Sequence, residues 1–132
     1  MQREVRENML GVILVAIGGG IGSVARYQTS NWMAERFGMD FPMGTLVVNV
    51  VGCFIIGLFM TLATERLSIS PYWRLFIAVG CLGGLTTFSS FSYETLRLLQ
   101  NADILRAFYN ASLNLVIGFF ATWLGMGVVR FF

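Results

Sequence analysis

The chain contains no histidine and no lysine, and only two of its 132 residues are cysteine. The absence of histidine excludes a Ser-His-Asp triad, a haem held by histidine and a Cys/His metal centre. Cys53 and Cys81 lie within long apolar stretches, where a thiol behaves as a small apolar side chain. Glu94 is the only acid beside the interior of such a stretch, and one unpartnered carboxylate is a poor basis for hydrolysis. We therefore expect a protein that is not an enzyme.

Charged residues are also scarce, at 12% of the chain, whereas 56% is apolar and the mean hydropathy is +0.71. The stretches without Asp, Glu, Lys or Arg are 8–25, 41–64, 75–93 and 107–129. Each is close to the roughly 20 residues that a helix needs to cross a hydrocarbon core of about 30 Å. A soluble helix would carry charges on its wet face, so we predict an all-α membrane protein with one domain over residues 1–132. Its predicted transmembrane helices are approximately 9–27, 43–64, 74–95 and 107–130.

The N-terminal residues allow a second interpretation, as a secretory signal peptide with a small-residue cleavage site at Ser23-Val24-Ala25. Such a leader would contain Glu4 and Glu7, and three long apolar stretches would still remain after its removal. We therefore favour four spans joined by short connections, with no soluble domain.

All nine basic residues are arginine, and four spans divide them almost evenly between the two sides of a membrane. One side receives Arg3, Arg6, Arg66, Arg74 and Arg130, and the other receives Arg26, Arg36, Arg97 and Arg106. Orientation normally follows a marked excess of Lys and Arg in cytoplasmic loops. We therefore predict insertion in both orientations and an antiparallel homodimer with a self-complementary interface. The alternative is a single orientation that a partner protein enforces.

Uncharged polar residues recur within the predicted spans at a spacing that places them on one helix face. They are Thr45, Asn49 and Gly52 in the second span and Asn110, Asn114 and Gly118 in the fourth. The third span adds a cluster of hydroxyl groups, on Thr86, Thr87, Ser89, Ser90 and Ser92. Such residues often only hydrogen-bond across helices. Three polar stripes in one small bundle favour a polar path through the membrane.

The adjacent Gly83 and Gly84 predict a break in the third helix, because glycine is a poor helix former. A break within a membrane frees backbone groups that must be buried in protein, hydrated or bound to an ion. Phe88 and Phe91 follow the predicted break one helical turn apart, and the edges of aromatic rings are electropositive. Carbonyl groups at the break suit a cation, whereas ring edges and hydroxyl groups suit an anion.

Three stretches of the sequence, in this order, closely resemble the Fluc (CrcB) family of fluoride channels, and the resemblance extends over all four spans. They are Gly18 to Tyr27, Gly44 to Gly52 and Gly83 to Ser92. The resemblance implies a passive fluoride-selective channel that exports fluoride from the cytoplasm through the cell inner membrane and so protects the cell. It also implies an antiparallel dual-topology homodimer with two pores and a central structural sodium ion.

The resemblance further implies which residues line the pore. Asn49, Phe88 and Phe91 match its polar and aromatic positions, and Ser89 and Thr87 would continue the polar track. The candidates in the fourth span are Asn110 and Asn114, with Tyr109 as an alternative.

Outside this polar track, the resemblance places Thr45 and Glu94 near a vestibule and implies that Arg26 belongs to the vestibule as well. Arg26 could equally be a membrane anchor whose charge reaches the interface. Gly83 and Thr86 match positions whose main-chain carbonyl groups hold the sodium ion.

Two other functions remain as alternatives. A small multidrug exporter is also a four-span dual-topology dimer, but it needs a carboxylate in the middle of its first span, where this chain has none. A structural subunit that transports nothing is the other. We expect fluoride, the lipid bilayer and a second copy of the chain as partners, and no nucleic acid.

Overall fold

The computed structural model describes residues 1–131, and the side chains of all of these except residues 3–5. Over that part of the chain every regular element is a helix. The helices are α1 (Gln2–Phe37), α2 (Met43–Thr61), α3 (Pro71–Arg74), α4 (Gly83–Leu85), α5 (Phe88–Gln100) and α6 (Ile104–Phe131). Wider π-helical turns continue α2 over Leu62–Arg66 and join α3 to α4 over Leu75–Leu82.

Four helical segments are long and apolar enough to cross a membrane, and they are Arg6–Phe37, Met43–Arg66, Pro71–Gln100 and Ile104–Phe131. The prediction of an all-α membrane protein with four spans is confirmed. The helices extend beyond the predicted spans, most clearly where α1 continues to Phe37, past the predicted end of the first span near residue 27. α1 ends at Gly38, whose φ of 82° is a backbone conformation that glycine adopts readily.

Large apolar side chains cover the outside of the bundle. Phe119 is 75% exposed, Ile104 69% and Val12 69%. A soluble domain rarely exposes an apolar surface this extensive, whereas lipid tails solvate it. The chain is therefore a multi-pass membrane protein.

Glycines bring the helices of the bundle into backbone contact. α2 packs on α6, where a Cβ at Gly125 would overlap the Phe54 carbonyl and lie 2.8 Å from Leu58 N. α1 packs on the Leu75–Leu82 segment and on α4. A Cβ at Gly22 would overlap the Cys81 carbonyl there. These approaches leave no room for a larger residue, and they hold the third span firmly beside the first.

Replacing Gly22 with valine is expected to destabilise the protein by roughly 1–3 kcal/mol, the usual range for overpacking. A Cβ at this position would lie 2.8 Å from Leu85 N, so the backbone of α1 or α4 must move. Thermal unfolding in detergent measures the change. Gly127→Val is the matched control, because a Cβ there meets only the Phe131 ring at 3.9 Å. Equal unfolding temperatures for both variants would contradict the close packing of α1.

Candidate functional site

The third span breaks at Thr86 and Thr87, between α4 and α5. Thr86 has ψ 155°, and Thr87 has φ −153° and ψ 117°, so both are extended. The predicted break is therefore present, but its predicted position at the glycines was wrong. Gly83 keeps helical angles of −63° and −36°, and a Cβ at Gly84 would overlap the Gly19 carbonyl of α1. Gly84 serves helix packing, and two β-branched residues, which favour extended backbone, form the break.

Asn49 of α2 holds the break open. The Thr87 N–H, which would reach the Gly83 carbonyl in an unbroken helix, donates instead to Asn49 Oδ1 at 2.8 Å. Asn49 Nδ2 in turn donates to the Thr87 carbonyl at 3.2 Å. One side-chain amide thus pairs both main-chain groups of an extended residue, as burial in a membrane requires.

Thr87 also caps the helix that follows. Its Oγ1 accepts a hydrogen bond from Ser90 N at 3.2 Å, the usual role of a threonine at a helix N-terminus. The same hydroxyl lies 3.1 Å from Ser90 Oγ and 3.2 Å from Ser89 Oγ. Three members of the hydroxyl cluster predicted for the third span, Thr87, Ser89 and Ser90, therefore meet at the start of α5.

The polar stripes of α2 and α6 meet directly. Asn49 Nδ2 donates to Asn114 Oδ1 at 2.9 Å, and Asn114 Nδ2 donates to the Asn110 carbonyl at 2.9 Å and to Asn110 Oδ1 at 3.1 Å. Asn110 Nδ2 then donates to Thr95 Oγ1 at 2.9 Å. We call Asn49, Asn114, Asn110 and Thr95 the amide chain. Its bonds engage both amide hydrogens of Asn49 and of Asn114, so an anion reaches these donors only by displacing a bond within the protein.

A cavity of about 380 Å³ lies beside the break. Asn49, Thr87, Phe88, Phe91 and Asn114 are among the residues that line it, and the rest of its wall is mainly apolar. The rings of Phe88 and Phe91 meet edge to face, with centroids 5.4 Å apart and planes at 62°. The Phe91 side chain is buried, whereas Phe88 is 74% exposed in the isolated chain. The cavity brings five predicted pore residues together, without a charged group in its wall.

A second cavity, of about 660 Å³, lies near the end of the bundle where α1 and α5 finish. Thr45 and Glu94, the two residues predicted to lie near a vestibule, are both in its lining, and Thr45 Oγ1 donates to Glu94 Oε1 at 2.7 Å. Glu94 Oε2 is buried, and among the described residues it has no hydrogen-bond partner. Arg106 belongs to the wall and pairs with Asp103 at 3.0 Å.

The sequence as a whole matches a known family. A family model described as CrcB-like protein, Camphor Resistance (CrcB), matches residues 13–126. The chain belongs to the CrcB family. It is similar to the fluoride-specific ion channel FluC of Solibacter usitatus, with 48% identity over 118 residues, 89% of this chain and 97% of the relative. The fluoride-specific ion channel FluC of Shewanella sp. is 50% identical over 121 residues, 92% of this chain and 97% of the relative.

A third similar protein is the fluoride-specific ion channel FluC of Sulfurihydrogenibium sp.. Its identity is 46% over 118 residues, which are 89% of this chain and 95% of the relative. The predicted membership of the CrcB family is confirmed by these matches. So is the expectation of a protein other than an enzyme, because these relatives are named as ion channels.

Arg26 of this CrcB chain lies at the break, and it is not among the residues that line the second cavity. Its guanidinium Nη1 donates to the Thr86 carbonyl at 3.3 Å. A charged donor thus pairs one of the carbonyl groups that the broken helix releases, and the half-buried position allows the rest of the guanidinium to remain solvated.

The two carbonyl groups predicted to bind sodium fit a hard cation in donor type, since such ions take oxygen ligands. The Gly83 carbonyl does not accept the Thr87 N–H, because that N–H donates to Asn49 instead. The space beside Gly83 is open, since a Cβ there would meet only Ala78 O, at 3.9 Å. The Thr86 carbonyl also accepts from Arg26. Two carbonyl groups do not complete a coordination shell, so a sodium ion here would need further oxygen ligands.

Sequence reasoning missed Thr95 and placed Asn110 in the pore lining. Asn110 is 0% exposed and its side chain donates to Thr95. It is not among the residues that line the first cavity. A signal for Thr95 was present, because Phe88, Phe91 and Thr95 stand at i, i+3 and i+7 on one face of α5. Tyr109, the alternative in the fourth span, is 49% exposed and is outside both cavity linings.

Proposed function

We propose that this CrcB protein is a fluoride-selective channel that lets fluoride leave the cytoplasm passively across the inner membrane and so protects the cell from fluoride. The observation that carries the proposal is the meeting of Asn49, the break at Thr87 and the Phe88–Phe91 pair around one uncharged cavity beside the break. The similarity to proteins named fluoride-specific ion channels supports fluoride as the ion.

The chemistry of the cavity suits a small anion. A pore must replace the water around an ion and yet release the ion, which favours neutral donors over a fixed positive charge. The electropositive edges of Phe88 and Phe91 provide such a surface. Asn49 Nδ2 can add a true donor by giving up its longer bond, 3.2 Å to the Thr87 carbonyl, while it keeps the 2.9 Å bond to Asn114. Fluoride is a strong acceptor, so it can compete with a carbonyl for that hydrogen.

The working unit in this proposal is an antiparallel homodimer with two pores. The near-equal arginine numbers on the two sides permit both orientations. A two-fold interface would also place a second pair of Gly83 and Thr86 carbonyl groups opposite the first, which supplies the ligands that one chain lacks for sodium. When bound, the sodium ion would act as a structural cross-link between the two copies.

Fluoride release from liposomes tests the proposed function. The purified protein is reconstituted in sodium-containing liposomes loaded with fluoride, and release is followed with a fluoride electrode after a potassium ionophore balances the charge. We expect rapid fluoride release, retention of chloride, and a rate that is independent of an imposed proton gradient. Release of organic cations driven by protons would indicate the exporter instead, and release no faster than from empty liposomes would indicate a structural subunit.

A further inference from the structure

Thr95 lies on α5 one helical turn after Phe91 and takes part in two hydrogen bonds. Its Oγ1 donates to the Phe91 carbonyl at 2.7 Å and accepts from Asn110 Nδ2 at 2.9 Å. We propose that Thr95 is a positioning residue of the channel, which orients Asn110 in the amide chain and fixes α5 against α6. This inference rests on the proposed function, since it concerns how the pore is held ready to conduct.

The orientation of Asn110 in the amide chain follows from the single hydrogen of the Thr95 hydroxyl. That hydrogen is used on the Phe91 carbonyl, so Thr95 presents only a lone pair to Asn110. Asn110 must therefore turn its NH₂ group to Thr95 and its Oδ1 to Asn114, which donates to it at 3.1 Å. Asn114 directs its own Oδ1 at Asn49 Nδ2, 2.9 Å away. The other end of the amide chain is fixed by the Thr87 N–H, which donates to Asn49 Oδ1, so the orientation of Asn110 that Thr95 imposes agrees with that of its neighbours.

Burial makes this orientation hard to reverse. Asn110 is 0% exposed and Asn114 is 8% exposed, so neither amide can exchange its partners for water. Without an acceptor at position 95, the amide of Asn110 would lose its only described side-chain acceptor. A rotated Asn110 would then set its NH₂ group against the NH₂ group of Asn114, and buried donors without acceptors are costly. The disturbance would pass through Asn114 to Asn49, which lines the pore cavity.

Thr95 also connects α5 to α6, the two helices whose separation sets the distance between Phe91 and Asn114. α5 carries Phe88 and Phe91, and α6 carries Asn114. The bond from Asn110 to Thr95 is a side-chain hydrogen bond from α6 to α5, and its acceptor also bonds to the backbone of Phe91. One hydroxyl thus joins the Phe91 backbone on α5 to the Asn110 side chain on α6.

The test compares Thr95→Val with Thr95→Ser in the liposome assay. Valine keeps the shape but removes the hydroxyl, and we expect a roughly tenfold lower rate of fluoride release because one buried donor loses its acceptor. Serine retains the hydroxyl and should restore most of the rate. Thr122→Val is the matched control, since the Thr122 hydroxyl also donates to the carbonyl four residues earlier, Gly118, but has no described part in the amide chain. Its rate should equal that of the wild type.

A double-mutant cycle with Asn110→Leu separates positioning from a general loss of stability. If Thr95 acts through Asn110, Thr95→Val should have little further effect in the Asn110→Leu background, because the two substitutions remove the same interaction. Additive losses of rate would overturn the inference. Size-exclusion chromatography and unfolding in detergent are measured on every variant, so that a misfolded protein is not counted as a slow channel.

The outcomes also separate this inference from the proposed function. A wild-type protein that releases no fluoride would overturn both. A wild type that conducts, together with a Thr95→Val variant as fast as Thr122→Val, would overturn the inference alone. A slow Thr95→Val variant that serine rescues, with a non-additive cycle, would support it.

Discussion

Fluoride release is expected to fall by more than about a hundredfold when Asn49 is replaced by aspartate, because a carboxylate cannot donate to its two neighbours. Asn49 Nδ2 donates to the Thr87 carbonyl and to Asn114 Oδ1, both of which are acceptors. In the Asn49→Asp variant an oxygen faces these two oxygens, and a negative charge stands in the path of an anion. The liposome assay with a fluoride electrode measures the loss.

Asn31→Asp is the matched control for this substitution, because it adds the same charge on an exposed position of α1. Its rate should remain within about twofold of the wild type, since exposed charges are well screened. Equal rates for Asn49→Asp and Asn31→Asp would show that Asn49 does not line the path of the ion.

Replacing Phe88 with isoleucine is expected to reduce fluoride release by roughly a hundredfold, while the protein stays folded. Phe88 is 74% exposed in the isolated chain, so little of the intramolecular packing depends on it. Isoleucine keeps an apolar surface but has no ring edge, and it removes the edge-to-face contact with Phe91 at 5.4 Å. If the ring edges stabilise fluoride in the pore, their loss should greatly increase the free-energy barrier to its passage.

Phe120→Ile supplies the comparison for Phe88→Ile. Phe120 is 54% exposed and also has an aromatic neighbour, since its ring stacks on Trp123 at 5.6 Å, but it is not among the residues lining either cavity. We expect unchanged release from Phe120→Ile. A Phe88→Ile variant that conducts as fast as Phe120→Ile would contradict the role of the ring edges, even if Asn49 proved essential.

The broken helix illustrates how far local sequence signals reach. Gly83 and Gly84, as poor helix formers, correctly indicated that the third span is not one continuous helix. They did not locate the break, because a glycine in a membrane helix has two uses that look alike in sequence. Here a Cβ at Gly84 would overlap the Gly19 carbonyl, so this glycine allows close packing. The extended residues are Thr86 and Thr87, whose backbone groups find partners on α1 and α2.

The polar residues of α2 and α6 show what helical spacing predicts and what it does not. Helical spacing alone placed Asn49 and Asn114 on the inner faces of their spans, and both line the same cavity. Spacing could not indicate that Asn49 and Asn114 bond to each other, because that depends on the distance and rotation between α2 and α6. It also could not separate Asn110, which is turned to Thr95, from Asn114, one turn away on the same stripe.

The sequence by itself determined the class of this protein, because four uncharged apolar stretches of about 20 residues have one stable arrangement, as helices that cross a bilayer. Its motifs also determined the family. Only the tertiary structure decided which polar groups are paired and which face the cavities. In a membrane every buried donor must find an acceptor, and those partners come from helices far apart in the chain, such as Asn49 and Asn114. The order of residues along one helix does not contain that information.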